Sequence, residues 1–158
     1  MPPHGGGMEA EMKKVYLAGW EVFKPDAKEE GERLKKLCAK YGFEGLYPLD
    51  NECDSAEEIY KGNIALIHEA DYVIANVNSF RGYEPDSGTA FEIGYAVSLG
   101  KTVIAYTSEG RPMTEWVRDE NGYTVENFGY PVNLMIAMGA HLVIGTAEDA
   151  LKEIKSAN

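Results

Sequence analysis

The sequence is poor in cysteine, in histidine and in positive charge, and it has no long apolar run. Its two cysteines, Cys38 in a charged helical stretch and Cys53 in a polar loop, do not make a disulfide framework. His4, His68 and His141 are scattered, and none pairs with a cysteine at a ligand interval, so no metal or other cofactor is expected. No segment approaches the apolar length of a membrane span, and the N-terminus lacks an apolar signal core. Only 15 Lys and Arg stand against 26 Asp and Glu, a formal net charge of −11. Such a surface repels phosphate backbones and anionic lipid, which argues against nucleic acid or membrane as partner. Polyanionic ligands need a local basic pocket; small neutral ones need none. A soluble cytoplasmic protein is expected.

What is present is ordinary globular composition. The 158 residues are 44% hydrophobic and 26% charged, which suits one domain with a sizeable core. Residues 1–12 are Gly-rich and unpatterned and read as a flexible tail, leaving 13–158 as a single domain. Within it, short apolar runs alternate with helical periodicity. Val15 to Ala18 predicts a first strand, and residues 25–41 a helix opened by Pro25, with Leu34, Leu37, Cys38 and Tyr41 on one face. Leu46 and Tyr47 predict a short second strand ended by Pro48. Ser55 with Glu58 three residues on forms a capping box for a helix running to about residue 69. Residues 71–77 predict a third strand, and 87–100 a helix that is apolar almost all round and stopped by Gly100. A fourth strand follows at 101–106 and a fifth at 141–145. Thr146 caps a last helix with Ala147, Ala150, Leu151 and Ile154 on one face.

Strands separated by helices imply βαβ units. The expectation is a flavodoxin-like, doubly wound α/β fold of five parallel strands, in the order 2-1-3-4-5, with helices on both faces. Ligands in such folds bind beyond the carboxyl ends of the strands, near the switch point. Residues 107–131 break the alternation and carry Trp116, Tyr123, Phe128 and Tyr130. They read either as an irregular excursion covering its own aromatics, or as a lid or an arm on a neighbouring subunit. Gly100-Lys101-Thr102 echoes a phosphate loop but leads from helix into strand, with Tyr95 where the first glycine belongs; it is excluded.

The chemistry concentrates in Tyr83 to Tyr95. Glu92 lies early in a helix whose neighbours Phe91, Ile93, Tyr95, Ala96, Val97 and Leu99 are apolar. A carboxylate there is costly unless paired or used, and burial can tune it. Gly88 and Gly94 allow backbone or ligand to approach the helix. Asp86 stands six residues before Glu92; capping is expected of Ser87 rather than of Asp86. Two carboxylates converging across a strand–helix turn suit glycosidic chemistry, one attacking the anomeric carbon and the other managing the leaving group's proton. Asn63 falls among Ile59, Tyr60, Leu66 and Ile67 in an apolar stripe, as either a base-reading amide or a satisfied core amide. Tyr16 could hold the nucleophilic carboxylate, or be core. Trp20 and Phe23 could stack a flat ligand or simply pack.

These residues resemble the nucleoside 2-deoxyribosyltransferases. The resemblance rests on Tyr16-Leu17-Ala18-Gly19, Pro48-Leu49-Asp50-Asn51, Asp71-Tyr72-Val73-Ile74-Ala75, Asp86 to Gly94 and Pro131-Val132-Asn133-Leu134-Met135. It implies a ping-pong transfer without cofactor or metal. Glu92 attacks C1′ of a 2′-deoxynucleoside, the base leaves, and a free nucleobase takes the 2-deoxyribosyl group with net retention. Asp86 matches the second carboxylate, and Tyr16 the tyrosine that holds the nucleophile. Gly19, Trp20, Phe23, Asn63 and Gly88 are the expected substrate-binding positions; many family members carry aspartate where Asn63 stands. Asn133 and Met135 match residues that a neighbouring subunit contributes, which implies a homo-oligomer built from dimers, commonly a hexamer. Two rival readings remain. A 2′-deoxynucleoside 5′-monophosphate N-hydrolase needs a phosphate site, for which Arg81 or Arg111 could supply charge. A non-catalytic nucleotide-sensing module needs no reactive Glu92.

Overall fold

Alternation of side chains along each strand sorts the core into two layers, one on each face of a sheet. In the computed structural model, which describes residues 11–51 and 53–157, the sheet has five parallel strands in the order β2-β1-β3-β4-β5. They are β1 (Lys13–Ala18), β2 (Phe43–Leu46), β3 (Tyr72–Asn76), β4 (Thr102–Thr107) and β5 (His141–Ile144). The helices are α1 (Ala27–Lys40), α2 (Ala56–Glu69), α3 (Ser87–Ser98), α4 (Met113–Trp116), α5 (Leu134–Gly139) and α6 (Ala147–Ala157). Val15 and Leu17 of β1 pack with Leu34, Cys38, Ile74, Ile104, Leu151 and Ile154, beneath α1 and α6. Tyr16 and Ala18 point the other way, with Val73 and Ala75 of β3, to Ile67, Ile93, Ala96 and Ile136 of α2, α3 and α5. The fold is the flavodoxin-like, doubly wound one. β1 and β3 are neighbours in register, Val15 opposite Tyr72 and Ala18 opposite Ala75, and the chain leaves their carboxyl ends in opposite directions. That is the switch point, where a crevice opens.

Several element boundaries differ from the expectation, each for a local reason. The first helix starts at Ala27 rather than Pro25, because Trp20–Phe23 first form a 3-10 turn. The second strand is Phe43–Leu46; Tyr47 leaves it, and its phenol donates to Ala27 O at 3.0 Å. A Cβ on Gly31 would meet the Tyr47 ring at 2.6 Å, so this glycine lets α1 close on the sheet. Ser55 Oγ accepts from Glu58 N at 3.1 Å, as its half of the expected capping box. Thr146 caps α6: its Oγ1 accepts from Asp149 N at 3.3 Å and donates to Asp149 Oδ2 at 3.0 Å. The third helix ends at Ser98, with Gly100 in the left-handed region at φ 76.

The 107–131 segment does not cover its own aromatics. Tyr123 and Phe128 are exposed, while Trp116 packs edge-on to Tyr83 at 5.7 Å. Both ends of the segment are tied, Met113 N to Tyr130 O at 2.9 Å, and Leu134 N to Glu126 Oε1 at 2.8 Å. The expected tail falls mostly on residues 1–10, outside the described residues. Among the described residues no helix is long and apolar enough to cross a membrane.

Candidate active site

Four segments meet at the switch point and leave a cavity of about 590 Å³, within the range of small-molecule sites. The turn after β1 supplies Gly19, Val22 and Phe23. Pro48, Leu49, Asn51 and Cys53 follow β2, and α2 presents Ile59, Tyr60, Asn63 and Ile64. The start of α3 brings Asp86, Gly88, Phe91 and Glu92. The walls are mostly apolar, and the only charged side chains among these residues are the two carboxylates.

Glu92 reaches the cavity from one turn inside α3, while its other side meets the sheet. Tyr16, wholly buried in the middle of β1, donates its hydroxyl to Glu92 Oε2. Oε1 has no hydrogen bond among the described residues. Burial pushes the Glu92 carboxyl up to about 7; the Tyr16 hydrogen bond opposes this, and the nearby Asp86 carboxylate adds to it. Burial beside that carboxylate also raises the Tyr16 phenol, so it stays a donor. A carboxylate fixed through one oxygen and free at the other can attack an electrophilic carbon.

Asp86, not Ser87, is the N-cap of α3, contrary to the sequence expectation. Its Oδ2 accepts from Thr89 N and Thr89 Oγ1, both at 2.9 Å. Capping and cavity lining are therefore properties of one side chain, with Oδ1 left over. A Cβ on Gly88 would come within 3.3 Å of Asp86 Oδ2, so glycine keeps this rim clear. Gly94 lies instead in a groove between α3 and α5, away from Glu92.

Of the remaining expected residues, Gly19, Phe23 and Asn63 line the cavity and Trp20 does not. Trp20 stacks on Phe80 at 5.9 Å, because the 3-10 turn aims it at the loop after β3 rather than inward. Phe23 stacks on the same ring at 5.4 Å. The stripe around Asn63 is also not core throughout: Ile67 is buried, but Ile59 and Tyr60 are exposed along the cavity. Asn133 and Met135 lie in the α3–α5 groove, so this chain does not bring them to its own Glu92. Asn133 caps α5 by accepting from Met135 N at 2.8 Å and donates to Glu126 Oε2 at 3.0 Å; Met135 is 73% exposed. No residue of the 107–131 segment lines the cavity, so in this structure it is not a lid.

Sequence reasoning missed Asn51, Tyr60 and Phe91 as wall residues, and a buried carboxylate, Glu21. Glu21 Oε1 accepts from Asn76 Nδ2 at 2.5 Å beneath the Gly19 turn. The available signal was an acidic residue among Trp20, Val22 and Phe23, matched by an amide ending the apolar run of β3. Arg81 and Arg111 are both engaged outside the cavity. The first lies over the Phe80 and Phe23 rings at 4.3 and 5.1 Å, and the second forks onto Glu109 at 2.9 and 3.0 Å. No group of three His, Cys, Asp or Glu side chains among the described residues could hold a metal ion.

This geometry agrees with what the chain is similar to. Residues 15–135 match the nucleoside 2-deoxyribosyltransferase family. The chain belongs to that family. Among solved structures, the 2-deoxyribosyltransferase of Leishmania mexicana is 37% identical with a TM-score of 0.82, over 91% of this chain and 97% of that one. A Clostridium botulinum CMP N-glycosidase shares the fold at 24% identity and TM-score 0.57, over 92% of this chain and 100% of that one. An uncharacterised protein of Schizosaccharomyces pombe is 33% identical over 147 residues, 86% of this chain; the chain spans 66% of that protein's length. Within a deoxyribosyltransferase family, the matched region contains Tyr16, Asn63, Asp86 and Glu92 together with Asn133 and Met135.

Proposed function

We propose that the protein transfers the 2-deoxyribosyl group of a 2′-deoxynucleoside to another nucleobase, through a covalent intermediate on Glu92. The observation that carries this reading is the Tyr16–Glu92 pair at the edge of an apolar cavity, inside a chain of the deoxyribosyltransferase family. Glu92 Oε1 attacks C1′ while the glycosidic C–N bond breaks and its electron pair leaves with the base. Asp86, through its spare oxygen, assists protonation of that base or orients the sugar. The incoming base then attacks C1′ from the vacated side, its ring N–H proton returns to the group that protonated the departing base, the Glu92–C1′ bond breaks, and two inversions give net retention. Without a 2′-hydroxyl the oxocarbenium-like state is more accessible, so one carboxylate and one proton source suffice. Asn63 and Phe23 contact the base. Asn133 and Met135 act in a neighbouring chain's site, which makes assembly a condition of activity.

The wall also bears on the hydrolase alternative. A 5′-phosphate calls for a basic site or converging N–H and hydroxyl donors, and no Lys, Arg or His stands among the described cavity residues. A neutral nucleoside fits the two carboxylates and apolar walls better. The deciding assay incubates the protein with a 2′-deoxynucleoside and a different free base. The swapped nucleoside is expected, and Glu92→Gln is expected to reduce its formation by about a thousandfold or more. Release of sugar phosphate from deoxynucleotides with no swap would establish the hydrolase instead. Ligand binding without turnover in wild type would establish the sensing module.

A further inference from the structure

The 107–131 segment lines no wall of the cavity, yet it sends one side chain to the start of α5. Glu126 Oε1 accepts from Leu134 N at 2.8 Å, and its Oε2 accepts from Asn133 Nδ2 at 3.0 Å. Asn133 Oδ1 in turn accepts from Met135 N at 2.8 Å. The amide is gripped at both ends. Capping alone does not require this. The leading N–H groups of α5 need acceptors, and Glu126 Oε1 with Asn133 Oδ1 supplies two of them. The second Glu126 oxygen satisfies no backbone group of α5; it fixes the plane of the Asn133 amide. Glu126 is itself steadied, because Met113 N donates to Tyr130 O at 2.9 Å and closes the loop that carries it. Among the described residues the second Nδ2 hydrogen of Asn133 has no acceptor. It sits half-buried beside Met135, which is 73% exposed, in the α3–α5 groove.

We infer that Glu126 is a positioning residue for a neighbouring chain's site, holding the Asn133 amide so that its remaining N–H donates across the subunit boundary. This deepens the reading above and rests on its placement of Asn133 in a neighbour's site. What Glu126 supplies is preorganisation. An amide locked before the substrate arrives loses no rotamer freedom on binding, and it is already aimed when the sugar is held for attack. The long segment thereby acquires a task that is neither lid nor self-packing. It carries the carboxylate that sets one donor of the adjoining subunit's site.

The test variant is Glu126→Gln. Its amide oxygen can still accept from Leu134 N, while its NH2 group meets the Asn133 NH2 donor to donor. Base exchange per chain should fall about tenfold. The decisive readout is co-expression with an excess of Glu92→Gln, which cannot react but carries an intact Glu126. Each Glu126→Gln chain then keeps a working Glu92 and borrows a correctly held Asn133 from its neighbour. Its rate should return to within about twofold of wild type. A role confined to the stability of its own chain predicts no recovery. Asn133→Ala with the same excess of Glu92→Gln is the control, and it should recover too. A loss smaller than about twofold in Glu126→Gln alone overturns the assignment. So does failure to recover where Asn133→Ala recovers, and both results leave the neighbour's Asn133 in place. No recovery of either variant overturns the inference and the shared site together. Absence of exchange by wild type removes the transferase reading and this inference with it.

Discussion

The fold buries two carboxylates at one switch point and uses them differently. Glu92 lies on the α2–α3 side and Glu21 beneath the turn after β1, where Asn76 continues the alternation of Ile74 toward the α1–α6 side. Burial raises both carboxyls above their ordinary value. Their partners differ. Glu92 is held on one oxygen by a phenol and faces a cavity with the other. Glu21 is closed in, one oxygen on the Asn76 amide and the other in the space a Gly19 side chain would fill. A buried acid becomes a candidate nucleophile only when one oxygen remains free toward a ligand. Otherwise it is a brace, and here it braces the turn that forms part of the cavity wall.

The largest effect expected from breaking this contrast comes from Tyr16→Phe. The lost hydrogen bond is one to the charged form of Glu92, so base exchange at pH 7 should fall by about ten- to a hundredfold. The bond also opposes the rise of the Glu92 pKa, so the acid limb of the pH–rate profile should move upward from about 7. A limb that stays in place would show that Tyr16 does not set the nucleophile's ionisation.

Next in size is Glu21→Ala, which leaves Asn76 Nδ2 unpaired and empties the space beneath Gly19. Urea unfolding should register a loss of about 2–3 kcal/mol, while the folded fraction still exchanges bases. Exchange abolished in well-folded Glu21→Ala would make Glu21 part of the chemistry and erase the distinction.

The smallest effect is thermodynamic. A carboxyl with a higher pKa folded than unfolded holds its proton more tightly in the native state. Its contribution to stability is complete below the unfolded value, near 4.5, and is lost as pH rises through the folded value, about 7 for Glu92. Glu92→Gln removes that loss. Its melting temperature relative to wild type should therefore climb by a few degrees between pH 4.5 and 8, then level off. A difference independent of pH would mean that Glu92 titrates alike in both states.

Strand positions and the Glu92–Asp86 segment were legible in the sequence because each leaves a local trace, while the strand order followed from the fold class that alternating strands and helices imply. Continuous apolar runs mark buried parallel strands, and an acid among apolar helical neighbours marks a carboxylate withheld from water. What was not legible depends on where a side chain is aimed after a turn. Trp20 and Phe23 are three residues apart and both stack on Phe80, yet after the 3-10 turn only Phe23 also lines the cavity. Ile59 and Tyr60 carry the periodicity of a core stripe, but the surface they meet is an open cavity. An apolar stripe on α2 is the same pattern whether it awaits a helix or a ligand. Glu21 and Asn76 lie 55 positions apart in the chain and pair only once β1 and β3 are side by side.

The most direct measurement of the central claim is the mass of the protein after mixing with a 2′-deoxynucleoside and no acceptor base. Wild type should gain one 2-deoxyribosyl group on the peptide that carries Glu92, and Glu92→Gln should gain none. Release of base by wild type with no adduct, or an adduct mapped to any other residue, would contradict the account.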